Sequence, residues 1–253
     1  MPSKSQSSVS WGPNDVEGVS VQEAWSSAVR ILLAHGGSIR NLVVRIVDVT
    51  QFDVEVDEKY RSLCSHLGIL QPKHVAYTIF PKHIAQGAQR DVLFHKYNKS
   101  GGFYDRVRTS WGTYFRRMTH YETRSGTVNQ LGKIIDAIRK DRTYKRVRTS
   151  CYTMITQMPG TETTRHIGGP CLNYIALQLE RGARPSIGML AVYRNHDFLK
   201  KAYGNYLGLC HLLAFVCSET SCDPGPLTCI SSRAYASQLR ALGRLVGEYP
   251  HGD

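Results

Sequence analysis

Acidic residues are scarce in this sequence, and paired cysteine motifs are missing. Only 20 Asp and Glu stand against 32 Lys and Arg, a net charge of +12 at pH 7 with a pI near 9.5. That balance excludes an acidic solvating chain and calls for an anionic partner. The basic residues form no single block. Arg148 and Arg194 fall at predicted strand ends, and Arg116 and Arg117 sit beside aromatics, which fits a phosphate-bearing small ligand as well as nucleic acid. The seven cysteines are odd in number and include no C-x-x-C pair. This argues against a disulfide framework or zinc knuckle and for reduced thiols in a cytoplasm. His35, His66, His74, His83, His95 and His120 show no ligand spacing, so no metal is expected. Residues 1–10 are Ser-rich and lack the apolar core of a signal peptide. The longest apolar run, 206–217, contains His211 and is too short to span a bilayer. No internal repeat is visible.

What is present reads as one folded unit. The 253 residues, 42% hydrophobic with a mean hydropathy of −0.30, suit a single domain with a sizeable core. Residues 1–20 read as a mobile leader and 21–253 as the domain. Ser20-Val21-Gln22-Glu23 has capping-box spacing, and Val21, Trp25, Val29, Leu32 and Leu33 share one face, predicting a helix up to Gly36-Gly37. Residues 41–49 (NLVVRIVDV) predict a buried strand, and 57–67 a helix with Tyr60, Leu63 and Leu67 inward. The pattern over 71–99 is mixed and yields no element. Residues 103–121 are dense in aromatics and arginines. Leu131, Ile134, Ile135 and Ile138 repeat at helical spacing after Asn129.

Residues 146–158 alternate as a strand, and 159–169 connect it to the stretch on which the chain turns. Cys171, preceded by Pro170, opens a buried strand. A second strand, 187–193, follows across a turn and ends on Arg194-Asn195-His196-Asp197, and Asn205 leads an apolar helix. A Pro/Gly turn at 223–226, a short strand over 228–235 and a final helix over 236–246 complete the chain. Hairpin-like strands mixed with helices predict an α+β fold with a largely mixed sheet rather than a doubly wound one.

Four pieces, in order, resemble the thymidylate synthase superfamily over roughly 111–235. Trp111-Gly112-x-x-Phe115-Arg116 is similar to the family's Tyr-Gly-x-x-Trp-Arg. Asn129-Gln130-Leu131 through Lys145-Arg146 resembles the helix that leads to its paired arginines. Pro170-Cys171 matches the dipeptide carrying the nucleophile, and Arg194-x-x-Asp197 with Asn205 repeats the Arg-Ser-x-Asp…Asn spacing. The departures are equally specific. Leu172 replaces the histidine after the nucleophile, Asn195 the serine, and Tyr203-Gly204 the Pro-Phe pair. The sugar motif reads Ile230-Ser231-Ser232-Arg233-Ala234-Tyr235, and Tyr249 to Asp253 differ from the family's apolar tail. They fall on base edge, sugar and lid, and resemble the cytidylate 5-hydroxymethylase branch, as used in nucleoside antibiotic biosynthesis.

The resemblance implies a three-layer α/β arrangement of the α+β type: a mixed twisted sheet carrying helices, with one sheet face used to form a homodimer. It implies Cys171 as nucleophile at C6 of a pyrimidine. The 5′-phosphate would be bound by Arg194, Asn195 and Arg40, with Lys145 and Arg146 contributed across the dimer. Asn205 would read the base, serving cytosine or uracil alike, while Arg233 and Tyr235 would face the sugar. Asp197 and Trp111 would contact 5,10-methylenetetrahydrofolate, the implied co-substrate. Arg194 beside Cys171 would lower the thiol pKa. A water-organising glutamate has no match; Glu55, Asp57 and Glu58 are nearest by position. The expected product is a 5-hydroxymethyl cytidine nucleotide, CMP before dCMP. The alternatives are a thymidylate synthase proper acting on dUMP, or a non-catalytic nucleotide- or RNA-binding relative, although an intact Cys171-Arg194-Asn205 set makes nucleic acid the less expected partner.

Overall fold

The structure, a computed structural model, describes residues 14–109, 111–142, 151–160, 162 and 169–247. The first strand, β1 (Asn14–Gly18), runs parallel to β2 (Ser38–Ile46), with α1 (Val21–Ala34) between them. The predicted cap forms with its return bond shifted by one residue: the Ser20 hydroxyl accepts from Glu23 N at 3.2 Å, and the Glu23 carboxylate accepts from Val19 N, one residue before the cap, at 2.8 Å. Ala24, Trp25, Ala28, Val29 and Leu32 are fully buried on its inner face. The leader boundary at residue 20 is therefore corrected, since 14–20 belong to the sheet and the cap. Alternation with Asp15 and Glu17 hid this strand, and Glu17 pairs with Arg45 across the ladder. Residues 1–13 lie outside the described residues.

Next come α2 (Val54–His66), α3 (Pro72–Ile79), α4 (Lys82–Ala85), α5 (Arg90–Asn98), α6 (Phe103–Val107) and α7 (Tyr114–Thr119). The stretch without a predicted element thus holds three short helices. Helices this short draw their stability from tertiary packing. In α3, Val75, Ala76 and Ile79 face α9 (Ala202–Thr220) at Gly204 and Gly208, where a side chain would collide with α3. A hairpin of β3 (Tyr121–Thr123) and β4 (Gly126–Val128) leads to α8 (Gln130–Asp141), capped by Asn129 through Gly132 N at 2.8 Å. The predicted strand over 146–158 is described only as β5 (Thr153–Ile155).

The remaining strands are β6 (Leu172–Glu180), β7 (Ser186–Tyr193), β8 (His196–Asp197) and β9 (Asp223–Tyr235), followed by α10 (Leu239–Val246). The sheet order is β1-β2-β9-β7-β6-β5, with β8 beside β9 and both parallel and antiparallel pairs. The class is mixed α+β, as expected. The Pro/Gly segment 223–226 is not a turn but the start of β9. Pro224 and Pro226 stand at the head of that strand beside a register shift against Ile187 and Met189, where proline is tolerated.

One sheet face is core. Ile175, Ala191, Cys229 and Val44 form one buried cross-strand row, and Leu177, Met189, Leu227 and Ile46 the next. On the opposite face Tyr174, Val192, Ile230 and Val43 form a row that is only half-buried, continued by exposed Ile155. Helix α9 lies between β7 and β9 in sequence and is buried on nearly all sides. Among the described residues no helix is long and apolar enough to cross a membrane.

Candidate active site

The end of the β6–β7 ladder brings residues 171 and 194 together. Gly169 turns the chain at φ 86°, buried Pro170 follows, and Cys171 enters β6 half-buried. Its carbonyl accepts from Arg194 N at 2.9 Å, and the Tyr114 hydroxyl accepts from both Cys171 N at 3.0 Å and Leu172 N at 3.2 Å. Asn173 holds the other strand end, its Oδ1 accepting from Arg194 N at 3.2 Å. These bonds fix the backbone under the thiol and the guanidinium, and the positive Arg194 side chain lies close enough to the Cys171 sulfur to favour its thiolate.

The thiol itself is held above the ordinary cysteine range. Burial raises it, and the pull of Arg194, then of Lys201, offsets this only in part. The expected lowering by Arg194 exists but is outweighed. Lys201 was not anticipated, because a lysine at the head of a helix reads as solvated surface. Its backbone caps α9, and its exposed side chain lies near Asp197 and Cys171; local desolvation lowers the ammonium while those two groups raise it.

Of the residues expected to serve phosphate, sugar and folate, Asn195, Asp197, Arg233 and Tyr235 fall together. Asp197 stands opposite Tyr235 in the β8–β9 pair, and Asn195 and Asp197 both lie close enough to the Tyr235 phenol to act on it electrostatically, Asp197 adding to the rise that burial gives its pKa and Asn195 lowering it. Asp197 also caps the turn beyond it, its Oδ1 accepting from Leu199 N and Lys200 N at 3.0 Å each. The Arg233 guanidinium lies 5.1 Å above the Tyr235 ring, and Arg40 stands directly opposite Arg233 in the β2–β9 ladder. Like charges facing each other across a ladder repel unless an anion joins them. Asn195 Oδ1 and the Tyr193 hydroxyl are buried without a hydrogen-bond partner among the described residues, and the Tyr193 phenol neighbours Tyr114 and Cys171. Orphaned polar atoms of this kind mark places where a ligand completes the bonding.

Asn205 sits in the first turn of α9 rather than ahead of it, 5% exposed. Its Nδ2 lies 3.0 Å from Nε2 of His196, a residue to which the sequence reading assigned no role. His196 is buried, stacks on Tyr193 at 4.0 Å with the rings 5° apart, and places Nδ1 3.0 Å from Ser231 Oγ. Burial lowers its pKa to about 3, so the ring is neutral.

Trp111 packs on Tyr114 at 4.6 Å, one layer behind the thiol, and lines a separate cavity of about 670 Å³ with Tyr104, Arg108, Arg116 and His120. Arg117 in that wall is engaged by Glu162 through two bonds, at 2.7 and 2.8 Å. Lys145 and Arg146 lie outside the described residues. Of the three acidic candidates, Glu55 pairs with Lys59 at 2.6 Å and exposed Glu58 lies 3.8 Å from Arg61. Buried Asp57 accepts from the Tyr203 hydroxyl at 2.8 Å. No protein-family model matches this chain, and no curated protein matches it.

The cluster combines a soft nucleophile, cations at its rim, an amide held in place and a phenol–carboxylate pair. Such a set suits addition of a thiolate to an electrophilic ring that carries an anionic group.

Proposed function

We propose that this chain is a thymidylate synthase-type enzyme that attaches a one-carbon unit to C5 of a cytidine nucleotide, CMP or dCMP, giving the 5-hydroxymethyl nucleotide. The observation that carries this reading is the pairing of Cys171 with Arg194 at one sheet end, with Asn205 in the first turn of the helix that follows. A thiol structural by default would not have a guanidinium aimed at it and two orphaned polar atoms nearby.

The thiolate of Cys171 bonds to C6 of the pyrimidine, and the C5–C6 π pair moves to C5, which becomes nucleophilic. The one-carbon electrophile would be supplied by 5,10-methylenetetrahydrofolate. Loss of the C5 proton would then break the bond between the new carbon and the folate nitrogen, releasing tetrahydrofolate and leaving an exocyclic methylene; water would add to that methylene as a hydroxyl, and expulsion of the Cys171 thiolate would restore the C5–C6 double bond. Arg194 favours the thiolate and, with Arg40 and Arg233, offers guanidinium forks to a phosphate. Asn205 faces the base edge, and Asn195 and Tyr235 face the sugar or phosphate. For the folate, Asp197 fits: a carboxylate beside the Tyr235 phenol can accept from the N–H groups of a pterin. Trp111 belongs to the cavity behind Tyr114 and fits less well. A homodimer is part of the same reading, supported by the half-buried apolar row Tyr174, Val192, Ile230 and Val43, a surface that a second copy would cover.

The deciding experiment is tritium release from 5-³H CMP, dCMP, UMP and dUMP with methylenetetrahydrofolate, followed by product mass. Release from a cytidine nucleotide with a hydroxymethyl product is expected, and Cys171→Ala should abolish turnover while nucleotide still binds. A methyl product from dUMP would assign a thymidylate synthase proper. Salt-sensitive RNA affinity without release from any nucleotide would assign a binding protein.

A further inference from the structure

An asparagine amide can serve cytosine or uracil, because turning it over exchanges its acceptor for its donors. In this site the exchange is opposed from behind. The Asn205 Nδ2 is placed 3.0 Å from His196 Nε2, and an NH₂ group offers only hydrogens, so in this orientation of the amide Nε2 is the acceptor. A neutral imidazole then bears its proton on Nδ1, where Ser231 Oγ at 3.0 Å can accept it. The rings of Tyr193, Phe198 and Tyr206 surround His196 and leave no water to take over either bond. Turning the amide over would set its oxygen against the Nε2 lone pair. Relieving that takes a move of the His196 proton to Nε2 with the Ser231 hydroxyl turning from acceptor to donor, inside packing that leaves His196 only 1% exposed.

We propose that His196 is a positioning residue: with Ser231 it locks the Asn205 amide in one orientation, so that the site accepts one pyrimidine base and rejects the other. This rests on the readings above of Asn205 as the base contact and of a cytidine nucleotide as the substrate, which together make cytosine the accepted base. A locked amide facing the wrong base sets donor against donor and acceptor against acceptor, which sites built on such bonds reject by roughly 100-fold or more.

Two measurements test it. In ligand-free protein, long-range ¹H–¹⁵N correlation of the His196 ring should show a neutral imidazole protonated on Nδ1 with Nε2 as acceptor. The opposite tautomer or a charged ring overturns the lock, whatever the protein binds. Calorimetric binding of CMP and UMP is then compared among the wild type, His196→Phe, Ser231→Ala and Asn205→Ala, each checked for a cooperative melt. The wild type should discriminate; equal affinity for CMP and UMP overturns the proposal. In His196→Phe the preference should fall to within about 10-fold, and in Ser231→Ala it should fall partway. Full preference retained in both variants, alongside its loss in Asn205→Ala, overturns the lock but leaves the base contact standing. A preference that survives Asn205→Ala overturns the base contact, and with it the claim that the lock sets specificity.

Discussion

Replacing Arg194 by methionine removes the strongest influence opposing burial at Cys171 while keeping most of the side-chain volume. An adjacent opposite charge generally lowers a pKa by about 1–3 units, so losing Arg194 raises the thiol further, moderated by the second cation, Lys201, which remains. Below the thiol pKa, each unit cuts the thiolate fraction about tenfold, but the more basic thiolate is about threefold more nucleophilic per unit. The net expectation is alkylation of Cys171 by iodoacetamide slowed by about 3- to 10-fold near neutral pH. Wild-type alkylation should itself climb with pH until above the ordinary thiol value of about 8.5, because burial outweighs the cations. Peptide mapping separates Cys171 from exposed Cys151, whose rate serves as control in the same tube. Arg194→Lys should fall between the two, keeping charge but losing the fork. An unchanged or faster rate at Cys171 in a folded Arg194→Met protein would refute the pairing as a control on the thiol.

Acid should unfold the protein partly through His196. Its folded pKa, about 3, lies below the unfolded value of about 6.5, so its contribution is complete above pH 6.5 and is lost as pH falls toward 3. At pH 4.5 the loss is roughly 3 kcal/mol at most, and urea midpoints at pH 7.5 and 4.5 should converge less in the wild type than the carboxylates and His211 alone would allow once His196→Phe is compared. An identical pH slope in the two proteins sinks the assignment. Gly204→Ala should lower the melting temperature although alanine favours helices by about 1 kcal/mol. The added Cβ would lie 2.6 Å from Val75 Cβ and 2.7 Å from Pro72 O, and overpacking typically costs about 1–3 kcal/mol; a stabilised variant would refute the close approach of α3. Val192→Lys puts a charge in the half-buried row and should convert a dimer to monomer by sedimentation, whereas a wild type already monomeric at high concentration removes the dimer from the proposal.

Local chemistry was legible where it is self-contained. The caps of α1 and α8 need only residues three apart, and the convergence of Cys171 with Arg194 needs only a hairpin, so both could be read along the chain. Elements whose cause lies far away in sequence were not. The α3 helix exists because Gly204 and Gly208, some 130 residues later, leave room for Val75, Ala76 and Ile79. The head of β9 looked like a turn because its prolines carry no information about the strand beside them. His196 was invisible as a functional group for the same reason, since its stacking on Tyr193 is local but its Ser231 partner arrives from β9. The net effect of burial on Cys171 was also beyond reach, because a neighbouring arginine is visible in the sequence and desolvation is not.

The segment 194–201, which bears most of the cluster, links β7 to α9 with only the two-residue β8 inside it, and its backbone is also tied down from the interior. Trp25 Nε1 donates to Phe198 O at 3.1 Å, and the Tyr60 hydroxyl donates to Leu199 O at 2.6 Å. The rings of Trp25, Tyr60 and Tyr203 pack together, with centroids 4.4–5.4 Å apart. Tyr203 in turn accepts from Gln22 Nε2 at 2.9 Å and donates to Asp57. Helices α1 and α2 therefore contribute no group to the thiol but hold the carbonyls on either side of residue 199. Buried donors of this kind are costly to leave unmet, which makes any displacement of the link unfavourable. The cationic side chains of Arg194 and Lys201 therefore stand at the two ends of a link whose backbone is tied to the core at Phe198 and Leu199.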